Sequence, residues 1–287
     1  MSVSPEPRPR PRPQTQPRPG LPQPRLLALD MGGVIVETLP APGWAARFAT
    51  RLLGHARHSL PPGTALPTVE QVATDLAEGR ARHDSWKDST LGGAELSQSE
   101  LWAELSRPTW GRPLLDHITR NRADLTAELC LVWEERAVRD GIRELLVECT
   151  RAGIAVGVVS NTISGPAYRS VLDRAGLTGY FRALSFSDEV GIRKPDPRLL
   201  LDAIGVAGVP PGATWYVGDT YRRDVVCGRR AGAGTTILMR SRRTEPAPGG
   251  GPEPDHTVGD PAGLHALLCA ALHAPTTSRG GGLHTTR

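Results

Sequence analysis

Residues 26–38 read LLALDMGGVIVET. Four apolar residues, Leu26 to Leu29, end on an acid, Asp30; the glycines Gly32 and Gly33 follow, then a second apolar trio. A short unbroken apolar run bounded by turn residues fits a strand buried on both faces. Adjacent glycines mark a tight turn. The stretch therefore predicts a buried strand that delivers Asp30 at its C-terminal end.

Working toward the C-terminus, helix and strand alternate after Arg139. DGIRELLVECTRAG is a helix ending at Gly153, and IAVGVVSN is a buried strand. A helix over about 165–175 precedes the short strand ALSFS, and residues 196–205 are helical before the strand TWYVGD. Residues 222–231 form a helix, TTILM a strand, HTV near 257 a last strand, and GLHALLCAAL a final helix. Strands separated by 10 to 15 helical residues imply βαβ units around a parallel sheet. Between these halves, residues 40 to about 138 carry five of the six tryptophans and amphipathic patterns over 43–57, 68–83, 97–106 and 126–138. Ser97 with Glu100 three residues on is a capping box. No strand pattern is evident there, so the segment reads as a helical module whose tryptophans form its core.

Open parallel sheets place their sites at the C-terminal ends of strands. The residues at those ends are Asp30, Ser160 and Asn161, and Asp219 with Asp224 five residues later; Lys194 lies in GIRKPDP between them. Clustered carboxylates repel one another, and a divalent cation with oxygen ligands, Mg²⁺ by preference, removes that cost. A carboxylate can attack phosphorus, while a hydroxyl, backbone amides and a lysine hold the phosphoryl oxygens. The set suits phosphoryl transfer. Lone acids at strand ends commonly cap helices instead, and Asp196 before Pro197 is read that way.

The sequence resembles the haloacid dehalogenase-like (HAD) hydrolases over about residues 26–272. LLALDMGGVIVET resembles the family's first motif, VVSNT the second, the Lys-Pro of GIRKPDP the third and GDTYRRD the fourth. The helical insertion stands where a C1-type cap would, and LGGAELSQSELW is similar to a cap pattern of the epoxide-hydrolase-N-terminal and sugar-1-phosphate phosphatase branches. The fold implied is α/β, a Rossmann-like parallel sheet core over 25–39 and 139–273 with a helical cap over 40–138. The resemblance implies Asp30 as nucleophile, Lys194 neutralising the charge of Asp30 and the phosphoryl group, and Ser160 and Asn161 at the substrate. It also implies Mg²⁺ held by Asp30, the carbonyl of Gly32, Asp219 and Asp224. The activity implied is hydrolysis of a small phosphorylated metabolite through an aspartyl-phosphate.

One position departs from the pattern. The family's second acid, two residues after the nucleophile, is Gly32 here. That leaves three readings: a phosphatase without the usual proton donor, a catalytically silent binding or scaffold protein, or a haloacid dehalogenase. The intact GDTYRRD argues against the last. Glu37 is a candidate replacement acid, and Arg222 and Arg223 are either solvated or directed at an anionic substrate.

Composition narrows the remainder. The 287 residues carry a formal charge of +4, all of it accounted for by residues 1–25, where Arg8, Arg10, Arg12, Arg18 and Arg25 face only Glu6. The rest is neutral and lacks the basic footprint of a nucleic-acid binder. Residues 1–24 alternate proline and arginine and predict a disordered tail; residues 274–287 predict another. Four scattered cysteines form no CxxC pair, so neither a disulfide scaffold nor a zinc site is expected. No apolar run reaches the ~20 residues of a membrane span, no secretory leader is expected, and the expected compartment is the cytoplasm. Of 34 Lys and Arg residues only Lys87 and Lys194 are lysine, which singles out Lys194 for a role arginine cannot fill.

Overall fold

The computed structural model describes residues 21–90, 92–247 and 249–274. The chain begins with β1 (Leu26–Leu29) and β2 (Val36–Pro40). An insertion follows, made of α1 (Trp44–Ser59), α2 (Val69–Ser89), β3 (Gly93–Ala94), α3 (Gln98–Leu105), α4 (Arg112–Arg120) and α5 (Arg122–Trp133), and it closes on β4 (Glu134–Val138). The core resumes with α6 (Ile142–Arg151), β5 (Ala155–Ser160), α7 (Gly165–Arg174), β6 (Ala183–Phe186), α8 (Ser187–Val190), β7 (Ile192–Arg193) and α9 (Arg198–Ala207). It ends with β8 (Thr214–Gly218), α10 (Val226–Arg230), β9 (Thr235–Met239), β10 (His256–Val258) and α11 (Pro261–His273).

Six strands form one parallel sheet in the order β10-β9-β8-β1-β5-β6. The order reverses direction at β1, so the chain leaves the sheet to opposite sides from the strand that ends on Asp30. Such a switch point opens a crevice at the strand ends. All four residues of β1 are fully buried, because helices cover both faces, as a parallel sheet requires. One face packs Leu27, Leu29, Val156, Val158, Trp215 and Val217 against α6, α7 and α11, and the other packs Leu26, Ala28, Val159 and Tyr216 against α9. The expected Rossmann-like α/β core is what the chain adopts.

The insertion has a core of its own. Phe48, Leu52, Leu53, Leu76, Leu101, Trp102, Trp110, Leu129 and Trp133 are buried together. Trp44 stacks on Trp133 with ring centroids 5.5 Å apart. Three of its tryptophans thus pack as core, as expected. The expected capping box of Ser97 with Glu100 forms on α3, and Thr68 with Gln71 forms another on α2.

Three sequence expectations are corrected. The helix expected over 126–138 ends at Trp133, and Glu134–Val138 pairs antiparallel with Val36–Pro40 as a ribbon. β3 pairs with β7, so the insertion is not free of strands. α4 was not foreseen. The tail boundary at residue 24 also moves. Trp215 Nε1 donates to the Pro22 carbonyl at 3.1 Å, and Pro24 is buried, so residues 21–24 belong to the packed structure. The expected tails over residues 1–20 and 275–287 lie outside the described residues. No disulfide forms among the described residues, where all four cysteines are free. No described helix is long and apolar enough to cross a membrane.

Candidate active site

The ends of β1, β5 and β8, with the loop after β7, bring seven expected residues together. Asp30, Gly32, Ser160, Asn161, Lys194, Asp219 and Asp224 line one cavity of about 40 Å³, joined by Tyr168, Thr220, Arg223 and Arg243. Asp30 hydrogen-bonds through its own turn: Oδ1 accepts from the Met31 amide at 2.8 Å. Gly33 sits at φ 81°, and a Cβ there would lie 1.9 Å from Asp219 Oδ2. Only glycine allows β1's turn to pass so close to that carboxylate.

Lys194 is buried and fully used. Its ammonium donates to Asp224 Oδ1 at 2.7 Å, to the Val159 carbonyl at 3.0 Å, and lies 2.9 Å from Asp30 Oδ1. Burial alone would lower its pKa, but Asp224 and Asp30 more than offset this and raise it. Asn161 fixes the loop carrying the lysine: its Oδ1 accepts from the Lys194 amide at 2.8 Å and its Nδ2 donates to the Lys194 carbonyl at 3.1 Å.

The three acids differ in environment. Burial pushes the Asp30 carboxyl up to about 6, while Lys194 pulls it down. Burial also works to raise Asp224, but Lys194 and hydrogen bonds from Thr220 and Tyr216 take it below the ordinary range. Asp224 accepts four hydrogen bonds in all, from Lys194 Nζ, Tyr216 OH, the Thr220 amide and Thr220 Oγ1. These bonds tie it to Lys194, to Tyr216 and to the turn at Thr220. Oxygens of Asp30, Asp219 and Asp224 all fall within 4.8 Å of one another. Together with the Gly32 carbonyl, these are the oxygens suited to a hard divalent cation. That donor set fits Mg²⁺.

Sequence reasoning missed Arg243. It lies in the loop after β9, where SRRTEPAPGGGPEPD has no periodicity to mark it. Its Nε and Nη2 each reach an Asp219 carboxylate oxygen at 3.1 Å, Nη2 donates to the Gly32 carbonyl at 2.8 Å, and Asp30 Oδ2 lies 3.8 Å away. Partial desolvation of the guanidinium disfavours its charge, but Asp219 and Asp30 outweigh that and raise its pKa. Glu37 lies on β2, with Arg242 4.0 Å away, and is absent from the cavity wall. Arg222 is exposed, whereas Arg223 faces the cavity.

A second cavity of about 100 Å³ adjoins the first, sharing Asn161, Tyr168, Arg223 and Arg243, and runs under the insertion. Its wall adds Arg80, Lys87, Arg136 and Arg193 but only two acids, Glu95 and Glu134. Arg193 is almost fully buried, stacks 4.3 Å from the Trp86 ring, and has no hydrogen-bond partner for Nε or Nη1.

The haloacid dehalogenase-like hydrolase family matches residues 24–232. A phosphoserine phosphatase of Thermus thermophilus is 32% identical over 179 residues, covering 56% of this chain and 70% of its own. An N-acetylmuramic acid 6-phosphate phosphatase of Pseudomonas aeruginosa is 29% identical over 214 residues, covering 75% and 81%. Among solved structures, a 2-haloacid dehalogenase from Pseudomonas syringae superposes with a TM-score of 0.56 at 19% identity, covering 87% of this chain and 99% of that one. That likeness is one of fold.

Proposed function

The chain belongs to the haloacid dehalogenase-like hydrolases, and from that premise we propose that it is a Mg²⁺-dependent phosphatase of small phosphate monoesters, acting through an aspartyl-phosphate on Asp30. The observation that carries the reading is the buried Asp30–Lys194–Asp224 chain at 2.9 and 2.7 Å, opening onto a cavity also lined by Ser160 and Asn161. Relatives named as phosphatases of phosphoserine and of a sugar phosphate support the same chemistry.

In this mechanism the Asp30 carboxylate attacks phosphorus and the P–O bond to the leaving group breaks. Lys194, held by Asp224, balances the negative charge shared by Asp30 and the phosphoryl oxygens. Ser160 and Asn161 hold those oxygens. Asp30, Asp219, Asp224 and the Gly32 carbonyl would hold the Mg²⁺, which supplies further charge neutralisation at the phosphoryl group. The departing oxygen takes its proton from water, since Gly32 offers no side chain. Water then attacks the phosphorus, the P–O bond to Asp30 breaks, inorganic phosphate leaves with the proton of that water passing to solvent, and the Asp30 carboxylate is restored. The insertion acts as the cap over this site, and the cations of the adjoining cavity favour a substrate with a second anionic group.

The test is turnover of p-nitrophenyl phosphate and of a panel of phosphate esters, with Mg²⁺ and with chelator, for the wild type and Asp30→Asn. The expected result is metal-dependent release of phosphate that the variant loses by at least a hundredfold. No turnover of any ester by the wild type would favour the silent binding reading instead.

A further inference from the structure

Arg243 occupies the place where charge neutralisation is needed. Its guanidinium spans Asp219, the Gly32 carbonyl and, at 3.8 Å, Asp30 Oδ2. These are among the oxygens that the preceding reading gives to a divalent cation. Two carboxylates buried this deeply need positive charge beside them, and a guanidinium is suited to span several oxygens at once.

The placement is built into the loop. Ser241 Oγ donates to Asp219 Oδ2 at 2.6 Å and accepts from the Arg243 amide at 2.9 Å. Thr244 Oγ1 donates to the Asp219 carbonyl at 2.8 Å and accepts from the Ser241 amide at 2.9 Å. The 241–244 turn is thus folded around Asp219 by bonds that do not involve the guanidinium. The side chain can leave while the turn stays. Arg243 is 41% exposed, against 0% for Asp219, so solvent and the adjoining cavity offer it an exit.

Gly32 supplies the room. A Cβ at that position would meet Arg243 Nη1 at 3.2 Å and Nη2 at 3.3 Å. The one position where the chain departs from its family's acid is the position directly beneath this guanidinium. A side chain at position 32 and the guanidinium in its present place would compete for the same space.

We propose that the Arg243 guanidinium and a divalent cation are alternative occupants of the same oxygens, so that metal binds only as Arg243 withdraws. The proposal rests on the assignment of Asp30, Asp219 and the Gly32 carbonyl as the cation's ligands. Simultaneous occupancy would set two cations side by side and ask the same lone pairs to serve both. The arginine therefore lowers apparent metal affinity by the fraction of molecules in which it is withdrawn. Without metal, it keeps the two carboxylates neutralised.

The experiment measures Mn²⁺ binding to the intact chain without substrate, by calorimetry and by the electron paramagnetic resonance signal of free Mn²⁺. Arg243→Gln should bind at least ten times more tightly than the wild type, and Mg²⁺ should raise its Tm more than it raises the wild-type Tm. Gly32→Ala keeps every charge and pushes a methyl group against the guanidinium; it should shift affinity in the same direction by a smaller factor, and it carries the test if Arg243→Gln does not fold. Unchanged or weaker Mn²⁺ binding in a folded Arg243→Gln overturns the proposal, as does absence of binding in every variant. Tighter binding in the variants from a protein that hydrolyses no ester would retire the phosphatase reading and leave this one standing.

Discussion

Lys194 shows at the scale of one residue why the site was readable. Its ammonium has three N–H groups and three acceptors: Asp30, Asp224 and the Val159 carbonyl. A guanidinium is planar and larger, and cannot place its donors in that tetrahedral arrangement. Lys194→Arg should therefore fold with a lowered Tm and lose at least ~100-fold in kcat, the scale of losing one preorganised charge contact. Phosphatase assays beside thermal melts check it; wild-type kcat in the variant would refute the fit. A lysine in a chain that otherwise uses arginine was visible in the sequence, as were acids at strand ends, because strand position dictates where such side chains meet. Arg243 was invisible for the opposite reason. Its partners Gly32 and Asp219 lie 211 and 24 residues away, and the Pro- and Gly-rich loop that carries it has no period from which to place it. In the sequence Gly32 reads as a loss; in the structure the Arg243 guanidinium lies against it.

At the scale of elements, the sheet strands were legible because each is a short apolar run between turn signals, while the ribbon of β2 and β4 was not. Glu134, Glu135 and Arg136 continue the polar rhythm of α5, and their pairing partners are nearly a hundred residues earlier. Nothing local stops the helix at Trp133. Within α2, His83 faces Trp86 and Trp133 at centroid distances of 5.5 and 5.8 Å. Burial, then the nearby Lys87, pushes its pKa from 6.5 down to about 3. The folded chain thus keeps His83 neutral where the unfolded chain protonates it. Its contribution to stability is complete above pH 6.5 and is lost as pH falls from there toward 3. By pH 5 the loss is on the order of 1–2 kcal/mol. His83→Gln should accordingly show a shallower fall of Tm between pH 7 and pH 5 than the wild type, and parallel curves would refute it.

For the whole molecule, composition located the excess positive charge in the first 25 residues and left a neutral body. It did not locate the start of packing, because Pro22 and Pro24 look like the prolines before them. The Trp215–Pro22 hydrogen bond and the burial of Pro24 draw the line. A chain beginning at Leu21 should melt and turn over as the full chain does, whereas one beginning at Arg25 should lose a few degrees of Tm, since losing one such bond and its packing costs about 1 kcal/mol. Equal melting temperatures for the two truncations would refute the boundary. The ribbon joining insertion to core has a mechanical consequence. Outgoing and returning chains are paired residue for residue, from Val36 with Val138 to Pro40 with Glu134. Sliding one strand along the other would turn side chains to the wrong face at each one-residue step, whereas twisting the ribbon preserves every pair. The two residue pairs of β3 with β7 tie the insertion to the core at a second place, and α5 packs Cys130 into the core cluster at a third.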